Sequence, residues 1–345
     1  MSDSGLRLRG HRRDHKVPTA HQDESRREHR AVLWGVQVRW LVLAGLTLQT
    51  SWQVFIIKWT AVPTKSYLDS TCVFFSEMVK MILSILFLAY ERGSLATALG
   101  ELWSSSCKDV VEIMKLAVPS LAYSVQSNLL FFSLASLSAG VQQVTYQLKI
   151  VSAATLSALL LGKSLSLKQW LALILLVVGV LLVHLSEPRV SVSADSTLTA
   201  KTLLGLLAVV FASFLSGFAG VFMEWTLKNS SSIWLRNTQL GAWGCITSLV
   251  AAVYQDGEQL YKGGLMQGFT WDVFFMIFTF AFGGLMVAMV LKYADNILRQ
   301  FSTALSLSLT TVISCVAFGE NHLNATFFLG TLLAIVATFV YNDVL

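Results

Sequence analysis

Residues 168–186 read KQWLALILLVVGVLLVHLS, and after Lys168 the stretch holds no Asp, Glu, Lys or Arg. About 20 mostly apolar residues are what a helix needs to cross the hydrocarbon core of a bilayer. Working outward in both directions gives ten such stretches: about 36–57, 67–90, 113–135, 139–162, 168–186, 202–225, 233–255, 270–291, 296–318 and 323–341. The apolar runs are continuous and do not alternate, so spanning helices are expected and a β-barrel is not. Trp34, Trp59, Trp103, Trp225, Trp234 and Trp271 fall near predicted ends, where an interfacial aromatic belt belongs.

Composition agrees. The 345 residues are 54% hydrophobic and 13% charged, about half the charge of an ordinary soluble domain. Residues 1–30 alone hold 8 Lys/Arg and 5 Asp/Glu of the 45 charges. The remaining chain is too poor in charge to cover a soluble globule, because polar groups must face water. The net charge of +5 does not point to nucleic acid, since the basic residues sit in the tail and at the ends of apolar runs. Residues 1–35 read as a solvated, disordered tail, and residues 1–30 have no apolar core from which to build a signal peptide. Cys72, Cys107, Cys245 and Cys315 are scattered without a CxxC, so neither a disulfide framework nor a metal site is expected.

Ten spans put both termini on one side. With that side cytosolic, 18 Lys/Arg fall on it and five on the other, the asymmetry that positive-inside topology requires. The polar loop 187–201 (EPRVSVSADSTLTAK) separates residues 36–186 from 202–345, five spans each. Two odd-numbered halves must sit in opposite orientations, so the expected fold is all-α and polytopic, ten helices in a 5+5 inverted repeat. Identity between the halves is faint: sliding 139–186 onto 296–343 pairs Gly162 with Gly319 and Ser157 with Ser314.

Lys80 and Lys149 remain inside spans. A lysine at mid-membrane costs about 2.5–3.5 kcal/mol on insertion scales, so it marks a cavity or a buried pair. In QQVTYQLKIVS, Gln142, Tyr146 and Lys149 share a face at i, i+4, i+7, with Ser152 three residues on. That face would suit an anionic, hydrogen-bonding solute; the plainer alternative pairs Lys149 with Glu77 or Glu224. In PSLAYSVQSNLL, Pro119 is placed to open a helix, followed by Tyr123, Gln126, Ser127 and Asn128, either cavity groups or interhelical hydrogen bonds. RNTQLGAWG sets Asn237, Gly241 and Gly244 on one face, either for close packing or as room for a planar ring. Gly283 and Gly284 permit close packing, and Lys292, Asp295 and Arg299 crowd a short junction where Arg299 is a second cation for phosphate or one more cytosolic charge. Glu77 and Lys80, at i and i+3, are expected to pair with each other. No catalytic constellation emerges: His184 and His322 stand alone, and GxSxG, Walker and paired-acid motifs are missing from the sequence.

VPSLAYSVQSNLLFFSLASLSA, VTYQLKI, LSGFAGVFMEWTLK, WLRNTQLG and GGLMVAMVLKYADNILRQFSTALS resemble the Golgi nucleotide-sugar transporters. These carriers of UDP-galactose, UDP-N-acetylglucosamine and CMP-sialic acid belong to the drug/metabolite transporter superfamily. The resemblance runs from about residue 40 to the end. It implies a ten-helix carrier with cytosolic termini that exchanges a nucleotide sugar for a nucleoside monophosphate, without cofactor, metal or catalysis. By position, Lys149 and Arg299 would hold the phosphates, with arginine where the family usually has lysine, while Tyr123, Gln126, Gln143, Tyr146 and Asn237 match cavity residues. Ser127, Gln142 and Gln300 depart from the family pattern, which bears on the sugar end of the site more than on the phosphate end.

At Gly241 and Val287 the chain resembles UDP-sugar members more than CMP-sialic acid carriers, which implies a uridine nucleotide. The sugar stays open among N-acetylglucosamine, galactose and N-acetylgalactosamine. The alternatives are a CMP-sialic acid/CMP exchanger and a non-transporting Golgi scaffold. Besides its ligands the expected partners are the lipid bilayer, a second copy of the chain or a glycosyltransferase, and the expected location is the Golgi membrane, with the endoplasmic reticulum second.

Overall fold

The computed structural model describes residues 32–33, 36–60, 67–108, 110–134, 136–137, 139–186, 200–318 and 323–342. Most of the N-terminal tail, most of the 187–201 loop, Gly319 and His322 lie outside them. Two short strands, β1 (Val32–Leu33) and β2 (Val36–Gln37), pair antiparallel just before the first helix. Helices follow: α1 (Val38–Thr60), α2 (Asp69–Arg92), α3 (Leu95–Lys108), α4 (Val110–Leu134), α5 (Ala139–Tyr146), α6 (Leu148–Leu161), α7 (Leu167–Leu185), α8 (Ala200–Lys228), α9 (Ile233–Gly263), α10 (Trp271–Tyr293), α11 (Asn296–Phe318) and α12 (Ala325–Tyr341). Each of the ten predicted stretches coincides with helix.

Seven spans among the described residues are long and apolar enough to cross a membrane, with α5 and α6 counting as one, and α12 is a shorter apolar helix of 17 residues. The two left over, α4 and α9, are those whose apolar runs are broken by Tyr123, Gln126, Ser127 and Asn128 and by Arg236, Asn237, Thr238 and Gln239. Along α7, Ala172, Leu173, Leu176, Gly179, Val180 and Val183 are buried, yet the opposite side exposes Leu171, Ile174 and Val178. A helix apolar on its packed side and on its outer side is a helix in lipid. The chain is a polytopic α-helical membrane protein.

Four local expectations change. Pro119 lies inside α4, which begins nine residues earlier at Val110, because buried Leu116 and Ala117 pack that first stretch into the bundle. The fourth span is broken at Gln147 into α5 and α6, and the Gln147 amide contacts His184 Nε2 at 3.1 Å. The seventh predicted span, α9, runs on to Gly263 through a kink at Asp256. Helix α3 was not foreseen. It is too short to span, and it is tied to α2 by the Arg92–Glu101 ion pair at 2.6 Å and packs Ala98 and Leu102 against Leu88 of α2 and Leu235 of α9.

Packing partners are set largely by small residues. α12 lies along α7, and α9 along α2. α8 packs on α4 and on α6, while α1 packs on α10 and on α11; α2 also meets α10, as α4 meets α9. Where α7 crosses α12, a Cβ on Gly179 would sit 2.8 Å from the Gly330 carbonyl oxygen and 2.9 Å from the Ala334 nitrogen. Backbones this close leave no space for a side chain. We expect Gly179→Leu to cost about 2–3 kcal/mol or more, read as a lower thermal midpoint in detergent. Gly100→Ala, where a Cβ meets nothing within 4 Å, should leave the midpoint level or raise it.

Candidate functional site

The polar stretches of α4 and α9 meet α2, α10 and α11 around a cavity of about 510 Å³. Its wall runs from Asp69 and Gln255, at one end of α2 and the facing stretch of α9, down to Met223 on α8 and Arg299 in the first turn of α11. Five of the residues expected to bind substrate line it, Tyr123, Ser127, Asn237, Val287 and Arg299, together with Glu77, Lys80, Asn128, Gly244 and Gly284. Asn237 is buried and donates from Nδ2 to Ser84 Oγ at 2.8 Å, which fixes its amide across the α2–α9 seam. Ser127 donates to the Tyr123 carbonyl at 3.0 Å.

Lys149 stands beside this wall. Its Nζ lies 4.5 Å from the centre of the Tyr146 ring, a cation–π contact, and its charge is near enough to Arg299 for the two to repel. The Tyr146 hydroxyl donates to Ser216 Oγ at 3.2 Å and also meets Gln126, whose Oε1 is buried without a hydrogen-bond partner. Neither carboxylate offered as a partner for Lys149 is free. Glu77 pairs with Lys80 at 2.5 Å, and Glu224 pairs with Lys163 and Lys228 at 2.7 and 2.8 Å. Among the described residues, no carboxylate lies within ion-pair reach of Lys149 or Arg299. Two cations near each other in a mostly apolar surround repel, and an anion between them would relieve that repulsion.

Three candidates sit elsewhere. The Gln142 amide donates to the Leu130 carbonyl and to Ser133 Oγ, both at 2.6 Å, so it ties α5 back onto α4. Gln143 is exposed on α5. Gly241 is buried where a Cβ would meet Met81 Cβ at 3.0 Å, so its smallness serves helix contact. The expected Glu77–Lys80 pair does form, but it lines the cavity, a placement the sequence reading did not reach. The signal lay in Gly244 and Gly284 on the facing helices, which leave room for the Glu77 carboxylate and the Lys80 stem.

The family model described as nucleotide-sugar transporter matches residues 35–342. The UDP-N-acetylglucosamine transporter of Rattus norvegicus is 39% identical over 311 residues, covering 88% of this chain and 95% of its own length. The UDP-galactose translocator of Mus musculus is 39% identical over 309 residues, covering 89% of this chain and 78% of its own. A solved crystal structure only 13% identical aligns with a TM-score of 0.62 over 88% of this chain and 97% of that one, so the fold is a known one. With the match running from just before the first helix to the end of the last, the chain belongs to the nucleotide-sugar transporter family.

Proposed function

We propose that this protein is an antiporter that moves a cytosolic UDP-sugar into the Golgi lumen in exchange for UMP. The observation that carries this reading is the pair of uncompensated cations, Arg299 in the wall of the intramembrane cavity and Lys149 beside it. A diphosphate offers the two charges that would relieve their repulsion, and UMP offers enough charge for the return leg. Uracil and ribose would lie against Tyr123, Asn237 and Tyr146, with Gln126 Oε1 as a waiting acceptor. Similarity to a UDP-N-acetylglucosamine transporter and a UDP-galactose translocator supports uridine as the base and leaves N-acetylglucosamine, galactose and N-acetylgalactosamine as candidate sugars.

Transport would proceed by alternating access of two five-helix halves, residues 36–186 and 202–345, joined by a luminal 187–201 loop, with both termini cytosolic. The packing pattern supports the repeat. Exchanging each span for the one five later carries α4–α8 into α10–α1, α6–α8 into α11–α1 and α10–α2 into α4–α9, and maps α7–α12 and α2–α9 onto themselves. In the empty carrier two unpaired cations penalise occlusion, which favours strict exchange over leak.

The test is counterflow into proteoliposomes preloaded with UMP or CMP, with labelled UDP-N-acetylglucosamine, UDP-galactose and CMP-sialic acid outside. Uptake of a UDP-sugar driven by internal UMP is the expected result and ranks the sugars. Uptake driven only by CMP would overturn the uridine assignment, and no uptake by folded protein would overturn transport of these substrates.

A further inference from the structure

A second group of charges lies just past the floor of the cavity. Met223 and Arg299 line that floor, and the residues beside them belong to an ion cluster. Glu224 follows Met223 on α8 and its side chain is fully buried. It binds Lys163 at 2.7 Å and Lys228 at 2.8 Å, and it accepts the Asn296 backbone N–H at 2.9 Å. Asp295 lies 3.3 Å from Lys163 and accepts the Leu298 N–H at 2.7 Å, capping the helix whose first turn carries Arg299. The Arg299 N–H in turn donates to the Asp295 carbonyl at 3.0 Å.

The placement of Lys163 follows from local sequence. Gly162 ends α6 with a left-handed φ of 66°, and Ser166 and Gln169 form a capping box that starts α7. Lys163 is thereby held in a short, tight junction. It comes from the first five-helix half, whereas Glu224, Lys228 and Asp295 all come from the second. These residues sit at the end of the bundle opposite Asp69 and Gln255, where the cavity wall begins.

Resting on the transport reading above, we infer that Lys163 bridging to Glu224 and Asp295 is the latch that closes the cytosolic end of the carrier while the other end stands open. Opening toward the cytosol must draw Lys163 away, leaving Glu224 with Lys228 and Asp295 with its helix cap. Because Asp295 caps the first turn of α11, which carries Arg299, a phosphate drawn onto Arg299 acts on the same turn that the latch holds. Burial works against Asp295 being charged, but Lys163, Lys228 and the Leu298 N–H outweigh it and hold its carboxyl below the usual range. Burial likewise disfavours the charged Lys163, yet Asp295 and Glu224 raise it above an ordinary lysine. Lys163 and Asp295 therefore stay ionised around neutral pH.

The test uses the full chain with its native cysteines replaced and a single cysteine at Met223→Cys, reconstituted in vesicles of known orientation. An impermeant thiol reagent is applied to the face that carries the N-terminus. Lys163→Gln, and Asp295→Asn with its cap retained, should each raise labelling from that face roughly tenfold, while Lys163→Arg should label like the parent. Unchanged labelling in both charge-removing variants would overturn the latch. So would an equal rise in Lys163→Arg, since charge would then not be what closes this end. Labelling needs no substrate, so counterflow measured in parallel on the chain with its native Met223 and cysteines separates the two readings. Lost exchange with latch-dependent labelling refutes transport alone, and intact exchange with unchanged labelling refutes the latch alone.

Discussion

Lys149→Ala should reduce nucleotide-sugar exchange by two orders of magnitude or more while leaving the protein folded in the membrane. Truncating one member of a buried, charge-assisted contact costs about 2–5 kcal/mol of binding, and each factor of ten is about 1.4 kcal/mol. The variant should also be at least as stable as the parent in the absence of ligand. Lys149 has no carboxylate to lose among the described residues, and its removal ends a repulsion with Arg299. The pairing of lost exchange with an unchanged or raised thermal midpoint is the signature of a binding group. Lost exchange with a lowered midpoint would mean that Lys149 serves the fold. Lys149→Arg should restore part of the exchange, because charge returns on a differently shaped head. Retained exchange in Lys149→Ala would remove the residue from the site.

Glu224→Ala should show the opposite pattern, a large loss of stability. Its carboxylate is fully buried and holds two lysines and a backbone N–H. Breaking a buried ion pair by removing one partner costs about 3–5 kcal/mol, because the remaining charge is left without compensation. The thermal midpoint should fall by roughly 5–10 °C. Glu224→Gln should lie between, since an amide oxygen can still accept the Asn296 N–H but cannot neutralise Lys163 and Lys228. A midpoint within a degree or two of the parent in Glu224→Ala would show that water replaces the carboxylate without penalty.

These two residues also show where sequence reading stopped. Lys149 stood out by itself, because a lysine with apolar sequence after it is costly whatever surrounds it. Glu224 was legible only as an acid near a span end, one of two candidate partners for Lys149. Its actual partners come from Lys163, Lys228 and the α10–α11 junction, and only Lys228 is near in sequence. Gly241 and Gln142 carry the same lesson. A glycine reads alike whether it faces a ligand or a helix, and the neighbour that decides is Met81, on another helix. Gln142 was placed on the face of Lys149 by helical spacing, but the hydrogen-bonding needs of its amide are met at the α4–α5 joint. Helix α3 escaped notice because, at 14 residues, it is too short to register as a span.

The sequence by itself determined the class of molecule, the ten apolar stretches that fold as helix and the residue types too polar for lipid. Each of these rests on transfer from water, a property of a residue and its chain neighbours that needs no knowledge of the fold. Tertiary structure alone decided which cations stay unpaired, which carboxylates are spent, and that the Glu77–Lys80 pair faces the cavity. Those outcomes depend on distances of a few ångströms between residues far apart in the chain. Coulomb attraction and hydrogen bonding act over such distances, and no local pattern encodes them.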